Sequence, residues 1–491
     1  MSLDKQVPRR ISNIIINALK GGVVPRVGLE YITVGRTQEI NAILHDIDII
    51  EDGGATFRFI VGKYGSGKSF LLQTIRNYAA EKGFVVVDAD LSPERRFAGT
   101  KGQGLATYKE LIKNMSTRSK PDGGALPLIL EKWISGIQTG VKEKYISGGD
   151  IPSGGDIPSG GDMPSGEDIP SDEEMPSGKE IYSGSRMPSG AGTPSNEAPP
   201  SDFDRQVEKH IYSVTSSLEG MVNGFEFAKA VVAYWRAYHA GDETAKSNVL
   251  KWFRGEYATK TEAKKDLDIN FIVTDETWYD FLKIFATFMV SAGYKGIIVV
   301  IDELVNIFKI PHTITRQNNY EKILTMYNDV LQGKAKNIGF LMGGTPQCIE
   351  DRYKGVYSYE ALRSRLSEGH FSTDDIKDLS APIIRLNMLT QEEVYILVEK
   401  LQDMHAQLYE YKPLLTHEDL IYFLEVEYNR VGADTHITPR EIIRDFIELI
   451  NIIHQNPDKN VSEILGSNSF RLAKNNLTDE QIHSDFVGFE I

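Results

Sequence analysis

Phe57-Arg58-Phe59-Ile60-Val61-Gly62-Lys63-Tyr64-Gly65-Ser66-Gly67-Lys68-Ser69 runs from an apolar, strand-forming stretch straight into a glycine-rich turn. Gly62, Gly67, Lys68 and Ser69 meet the spacing G-x-x-x-x-G-K-[ST], with Gly65 and Ser66 inside the turn. Each residue type has a chemical reason. Glycines let backbone N–H groups turn inward around phosphate oxygens, and the N-terminus of a following helix adds a favourable dipole. A lysine at this place reaches the β/γ-phosphates, and the serine hydroxyl holds Mg²⁺. Phe70-Leu71-Leu72-Gln73-Thr74-Ile75 continues as a helix former, so the turn has a strand before it and a helix after it. A glycine turn that binds nothing is the alternative, and flanks of the right type on both sides weigh against it. The stretch implies binding of a nucleoside triphosphate by Gly62, Gly65, Ser66, Gly67, Lys68, Ser69 and Phe70.

A second apolar run, Gly296-Ile297-Ile298-Val299-Val300-Ile301, ends in Asp302-Glu303. Such a run reads as a strand buried on both faces of a parallel sheet. Many strands end in solvated acids, so the pair alone is weak. Beside a phosphate loop it gains a role: Asp302, with Ser69, as the Mg²⁺ ligand, and Glu303 as the base that polarises the attacking water. Ile338-Gly339-Phe340-Leu341-Met342, leading into Gly343-Gly344-Thr345-Pro346, reads as a further strand, as do Val85–Asp90 and Ile383–Leu386. Helical periodicity covers 102–118, 125–145, 203–240 with a break near Gly220–Gly224, 275–292, 390–410, 416–429 and 438–454. Strands alternating with helices predict an α/β fold with a parallel sheet. The division expected is 1–91 as an N-terminal segment and first part of the core, 92–293 as a helical insertion, 294–389 as the second part of the core, 390–455 as a helical lid and 456–491 as a polar tail.

From Ser147 to Ser195 the chain repeats a hexapeptide, Ser-Gly-Gly-Asp-Ile-Pro and its variants, with serine at every sixth position. A β-helix also repeats in sixes, but proline in nearly every unit cannot donate to a ladder. One Ile or Met per unit is too little burial to offset ordering, so 147–200 reads as a disordered acidic linker, with a docking peptide as the sharper alternative. The tract carries ten acids against Lys179 and Arg186, a net −8 of the chain's −15. The remaining 437 residues therefore hold only −7, and no whole-surface attraction to nucleic acid follows from charge.

A chain of 491 residues supports two or three domains, and 41% hydrophobic residues is ordinary for a globular protein. No run has the length of a membrane span and the N-terminus lacks a secretory core, so a cytoplasmic protein is expected. Cys348 stands alone, which excludes an internal disulfide. The histidines lack metal-ligand spacing. Tyr234-Trp235-x-x-Tyr238 reads as core, and Arg95-Arg96 and Lys260–Lys265 as solvated faces.

With these residues in view, the chain resembles the AAA+ branch of the phosphate-loop (ASCE) ATPases. Val34-Gly35-Arg36-x-x-Glu39 looks like their adenine-flanking box, which marks Gly35 and Arg36 as nucleotide contacts. Thr345 resembles their sensor 1, Ser364-Arg365-Leu366 their arginine-finger box, with Arg363 the alternative finger, and Arg440 the sensor 2 arginine of the helical lid. More narrowly, Ile11–Gly35, Gly62–Ser69, Tyr294–Glu303, Gly343–Pro346, Tyr357–Arg365 and Thr438–Glu441 resemble the BrxD type of ATP-binding protein from bacterial BREX phage-defence systems. The resemblance spans nearly the whole chain outside the hexapeptide tract. It implies ATP and Mg²⁺ as ligands, hydrolysis, self-association with Arg365 acting on a neighbour's nucleotide, Arg440 acting in its own chain, and other defence proteins as partners without a membrane. A DNA-gripping loader or translocase and a slowly hydrolysing signalling switch are the rival readings.

Overall fold

The computed structural model describes residues 7–146, 202–215, 218, 220–367, 378–429, 438–459 and 461–466. The hexapeptide tract expected as a linker, and the tail beyond 466, lie outside the described residues. Five strands, β1 (Ala55–Gly62), β2 (Val85–Asp90), β3 (Ile297–Asp302), β4 (Ile338–Gly344) and β5 (Ile383–Leu386), form one parallel sheet in the order β2-β3-β4-β1-β5. Their side chains alternate between two buried clusters. Phe57, Phe59, Val61, Val299, Ile301, Phe340 and Met342 face one, while Ile60, Val86, Ile298, Val300, Leu341 and Ile384 face the other. Burial on both faces is why these strands are rich in β-branched, aromatic and other apolar residues.

Helices α1 (Arg9–Lys20), α2 (Leu29–Ile32) and α3 (Thr37–Glu51) precede β1, and α4 (Lys68–Glu81) joins β1 to β2. Helices α3 and α4 cover the Ile60 face, where Ile43, Ile47, Leu71 and Ile75 complete the cluster. Between β2 and β3 lie α5 (Gln103–Lys113), α6 (Leu126–Ile146), α7 (Asp202–Thr215), α8 (Gly224–Ala240), α9 (Glu243–Phe253), α10 (Lys260–Leu267) and α11 (Trp278–Ser291). This insertion shares one continuous core with the Phe57 face of the sheet, so burial, not chain order, joins the two. Phe227 is its hub, with ring centroids 5.0 Å from Phe253 and 5.1 Å from Phe285. Tyr234 and Trp235 are buried, as their spacing implied. Arg95, by contrast, is not simply solvated. Its Nε donates to Asp90 O at 2.9 Å, because the chain folds back immediately after β2.

Helices α12 (Val305–Phe308) and α13 (Thr313–Leu331) link β3 to β4, and α14 (Pro346–Glu350) and α15 (Glu360–Leu366) link β4 to β5. Sequence periodicity assigned nothing to α13, a 19-residue helix rich in Thr and Asn whose apolar stripe is thin. After β5 come α16 (Gln391–Tyr409), α17 (His417–Tyr428), α18 (Pro439–Gln455) and α19 (Val461–Gly466). Capping boxes start three of them: Thr390 with Glu393, Thr416 with Asp419, and Thr438 with Glu441. Their shared core takes in Ile15, Ile16, Leu29 and Ile32, so the N-terminal α1 and α2 pack with the lid helices, far away in sequence. No helix among the described residues is long and apolar enough to cross a membrane.

Candidate functional site

The turn between β1 and α4 is shaped by its glycines. Gly65 and Gly67 have φ of 82° and 85°, in the left-handed region. Space is short as well: a Cβ on Gly62 would lie 2.3 Å from Ser66 Oγ, and one on Gly65 2.7 Å from the Thr438 side chain at the start of α18. Lys68 Nζ spans the turn, donating to Gly62 O at 2.9 Å and Lys63 O at 3.1 Å. Burial pulls its ammonium below the usual lysine value, against the opposing charges of Asp302 and Glu303.

Asp302 sits on β3, with β4 standing between it and β1. It crosses that gap because β4 carries Gly343 there: a Cβ at Gly343 would fall 2.2 Å from Asp302 Oδ1. Ser69 Oγ then donates to Asp302 Oδ2 at 2.7 Å. The Glu303 N–H donates to Asp302 Oδ1 at 2.8 Å, and Glu303 itself holds a φ of 62°. A left-handed glutamate costs on the order of 1 kcal/mol and persists only where its surroundings impose it. Burial pushes the Glu303 carboxyl above the usual glutamate range, and the charges of Asp302 and Asp90 add to this. Asp90, at the end of β2, lies in register with Asp302 and is likewise pushed up, by burial first and then by Asp302 and Asp88. Thr345 caps α14 at the end of β4, its Oγ1 accepting from Cys348 N at 3.4 Å. Cys348 is buried, and its thiol is pushed up to about 11.

The residues taken from the resemblance separate into two places. Arg440, at the start of α18, faces the phosphate loop: Nη1 donates to Tyr64 Oη at 3.3 Å. Arg36, whose φ is 61°, braces the loop from behind by donating to Ser66 O at 3.0 Å and to Asn387 O beyond β5. Gly35 makes room for the lid, since a Cβ there would meet Glu393 Oε1 at 2.2 Å. Phe70 packs against the lid cluster rather than into the glycine turn. Arg365 lies elsewhere. Its Nε donates to Asn328 Oδ1 at 3.0 Å and its Nη1 to Ala361 O at 2.7 Å, on the flank of α13. Arg363 pairs with Glu360 at 3.5 Å on its own helix.

Sequence reasoning missed Tyr64, Asp90, Glu393 and the reason for Gly343. Only Asp90 left a signal, as a carboxylate ending an apolar strand; the others are set by contacts between distant segments. Ser69 and Asp302 together present hard oxygen donors on one side of the cradle, a donor set that suits Mg²⁺, which keeps most of its own water and takes one or two protein oxygens.

A glycine cradle, a spanning lysine and a serine–aspartate pair thus lie together where β1 and β3 end. The family model of the BREX system ATP-binding protein BrxC/D matches residues 7–150 and 190–469. The chain belongs to that family. Membership makes it an ATP-binding protein of a BREX phage-defence system. The matched residues include every element of the cradle and of the lid core, while most of the hexapeptide tract falls between the two matched stretches. No curated protein matches the chain.

Proposed function

We propose that this BREX ATP-binding protein is an AAA+-type ATPase whose Mg²⁺-dependent ATP hydrolysis drives assembly or remodelling of a defence complex. One observation carries the reading: Ser69 Oγ is 2.7 Å from Asp302 Oδ2, with Glu303 next in the chain and Lys68 across the turn. ATP phosphates would lie in the turn formed by Gly62, Gly65, Ser66 and Gly67, against the N-terminus of α4. Mg²⁺, held by Ser69 and Asp302, would supply charge neutralisation at the β- and γ-phosphates. Lys68 orients the phosphates with its ammonium. Glu303 accepts a proton from the attacking water, a role for which its raised affinity for protons is suited. Arg440 brings a lid cation to the same phosphates, Thr345 orients the strand end behind them, and Gly35 with Arg36 holds the base side of the loop.

Arg365 is assigned to a neighbouring copy of the chain. Its bonds to α13 and α15 leave it on a separate face from its own cradle, which supports a finger that completes another subunit's site. The domain roles follow: 1–91 and 294–389 as the ATPase core, 92–293 as the insertion, 390–455 as the lid. Purified Glu303→Gln protein should bind ATP as the wild type does while releasing almost no phosphate. Wild-type phosphate release from that variant would remove Glu303 from the mechanism, whereas absence of phosphate release from the wild-type protein would remove the hydrolysis reading.

A further inference from the structure

Tyr64 stands out among the residues of the turn. Its ring is 70% exposed, adds nothing to the core and lies in a loop otherwise built of small or charged residues. Yet it is not without a partner. The Arg440 guanidinium carbon is 5.7 Å from the ring centroid, and Nη1 donates to the phenol oxygen at 3.3 Å. One ring thus engages the arginine by its π-face and its hydroxyl together. The neighbouring contacts hold this arrangement. Gly65 abuts Thr438, which fixes the start of α18 against the turn, and Gly22 approaches Arg440 from the other side, where an added Cβ would be 3.8 Å from Cδ. An exposed arginine ordinarily samples many rotamers. Here the aromatic face and the phenol hydroxyl select one, close enough to the turn for the guanidinium charge to be felt at Lys68.

We infer that Tyr64 is a positioning residue for the lid arginine: it ties the phosphate loop to α18 and presets the Arg440 guanidinium for the phosphate chain. The inference rests on the proposed role of Arg440 at the nucleotide. Chemically, Tyr64 touches no reacting atom. It acts by reducing the number of conformations from which Arg440 must be recruited, so its effect is felt in nucleotide retention and lid closure before chemistry.

The test is a double-mutant cycle on the full chain, with a fluorescent ATP analogue for off-rates and phosphate release for turnover. Tyr64→Ala should speed nucleotide release several-fold, and Tyr64→Phe, which keeps the ring but loses the hydroxyl acceptor, should fall between it and wild type. In the Arg440→Ala background the same Tyr64 substitution should change almost nothing, because the residue it positions is gone. Additive losses would mean that Tyr64 contacts the nucleotide or a partner by itself, and the inference would be wrong. A silent Tyr64→Ala beside a damaging Arg440→Ala would overturn the inference while leaving the proposed function standing. A silent Arg440→Ala would overturn the inference together with the proposed role of Arg440, and would leave the Ser69–Asp302 site untouched. Since Tyr64 is exposed, its variants are expected to fold, and unchanged melting temperature checks that.

Discussion

Arg440 and Arg365 are both exposed arginines on the first turns or last turns of short polar boxes, and the fold sends them to different places. Arg440 follows Tyr64 by 376 positions and bonds to it across the phosphate loop. Arg365 bonds to Asn328, and its charge is felt by Tyr327, whose ring packs edge-on to Phe57 at 5.5 Å. Phe57 is five residues before Gly62, about 16 Å along a strand that rises roughly 3.3 Å per residue. One arginine is therefore local to the cradle, and the other lies beside α13, near the face of β1 that carries Phe57. The contrast teaches that two cations of one proposed mechanism need not share a chain's own site: one suits a contact made within the subunit, the other a contact made between subunits.

The largest effect that tests this contrast should come from Arg365. Arg365→Ala should bind ATP normally and lose roughly 10³-fold or more in turnover, the scale of a missing transition-state arginine. Mixed with Lys68→Ala protein, which keeps Arg365 but lacks the spanning ammonium, it should regain activity through assemblies that pair an intact finger with an intact cradle. A rate flat at background over all mixing ratios, with mixed assemblies confirmed by mass, would end the separation. Next in size is Glu303→Gln, where loss of the base should cost about 10²–10⁴ in phosphate release, and mixing with Arg365→Ala should restore activity as Lys68→Ala does, since each variant keeps the part the other lacks. Arg440→Ala should cost about ten- to a hundredfold, the scale of one charge-assisted contact, and the loss should be independent of protein concentration.

The pH profile sharpens the local half of the comparison. Glu303 must be ionised to accept a proton, and burial with Asp302 and Asp90 raises its pKa. The acid limb of turnover should then lie above the ordinary glutamate value of about 4.3, and activity should rise through it as pH increases. The same shift has the opposite sign for stability. A carboxyl that holds its proton more tightly when folded contributes stability below its ordinary pKa and loses it as pH rises through the folded value. Rate and melting temperature should move in opposite directions across that window, and parallel movement would implicate another group. The smallest effect is expected at Thr345. Thr345→Val removes a helix cap whose acceptor distance is 3.4 Å, so stability should fall by about 0.5–2 kcal/mol, read by denaturant melts.

Much of the fold was legible because its signals are local. The run from Phe57 to Ser69 and the run from Ile297 to Glu303 each combine strand propensity with burial on both faces and end in a short recognisable pattern. Strands β2 and β5 announced themselves as short apolar runs and the helices from α16 to α18 by periodicity, while their capping boxes were recognised only in the structure. The rest had no local signal. Helix α13 is too polar for its periodicity to register, and α1 gives no hint that Ile15 and Ile16 belong beside Phe446 in the lid core.

By itself, then, the sequence determined that a strand ends in a glycine-rich turn, that a second strand ends in two acids, and that helices follow the last strand. Backbone sterics and side-chain periodicity act over a few residues, and a sequence displays them directly. Tertiary structure alone decided that β4 separates those two strands and that Gly343 clears the path from Asp302 to Ser69. It also decided that Tyr64 meets Arg440 while Arg365 turns to Asn328. These are encounters between surfaces brought together by burial of apolar area, which is non-directional and indifferent to distance along the chain.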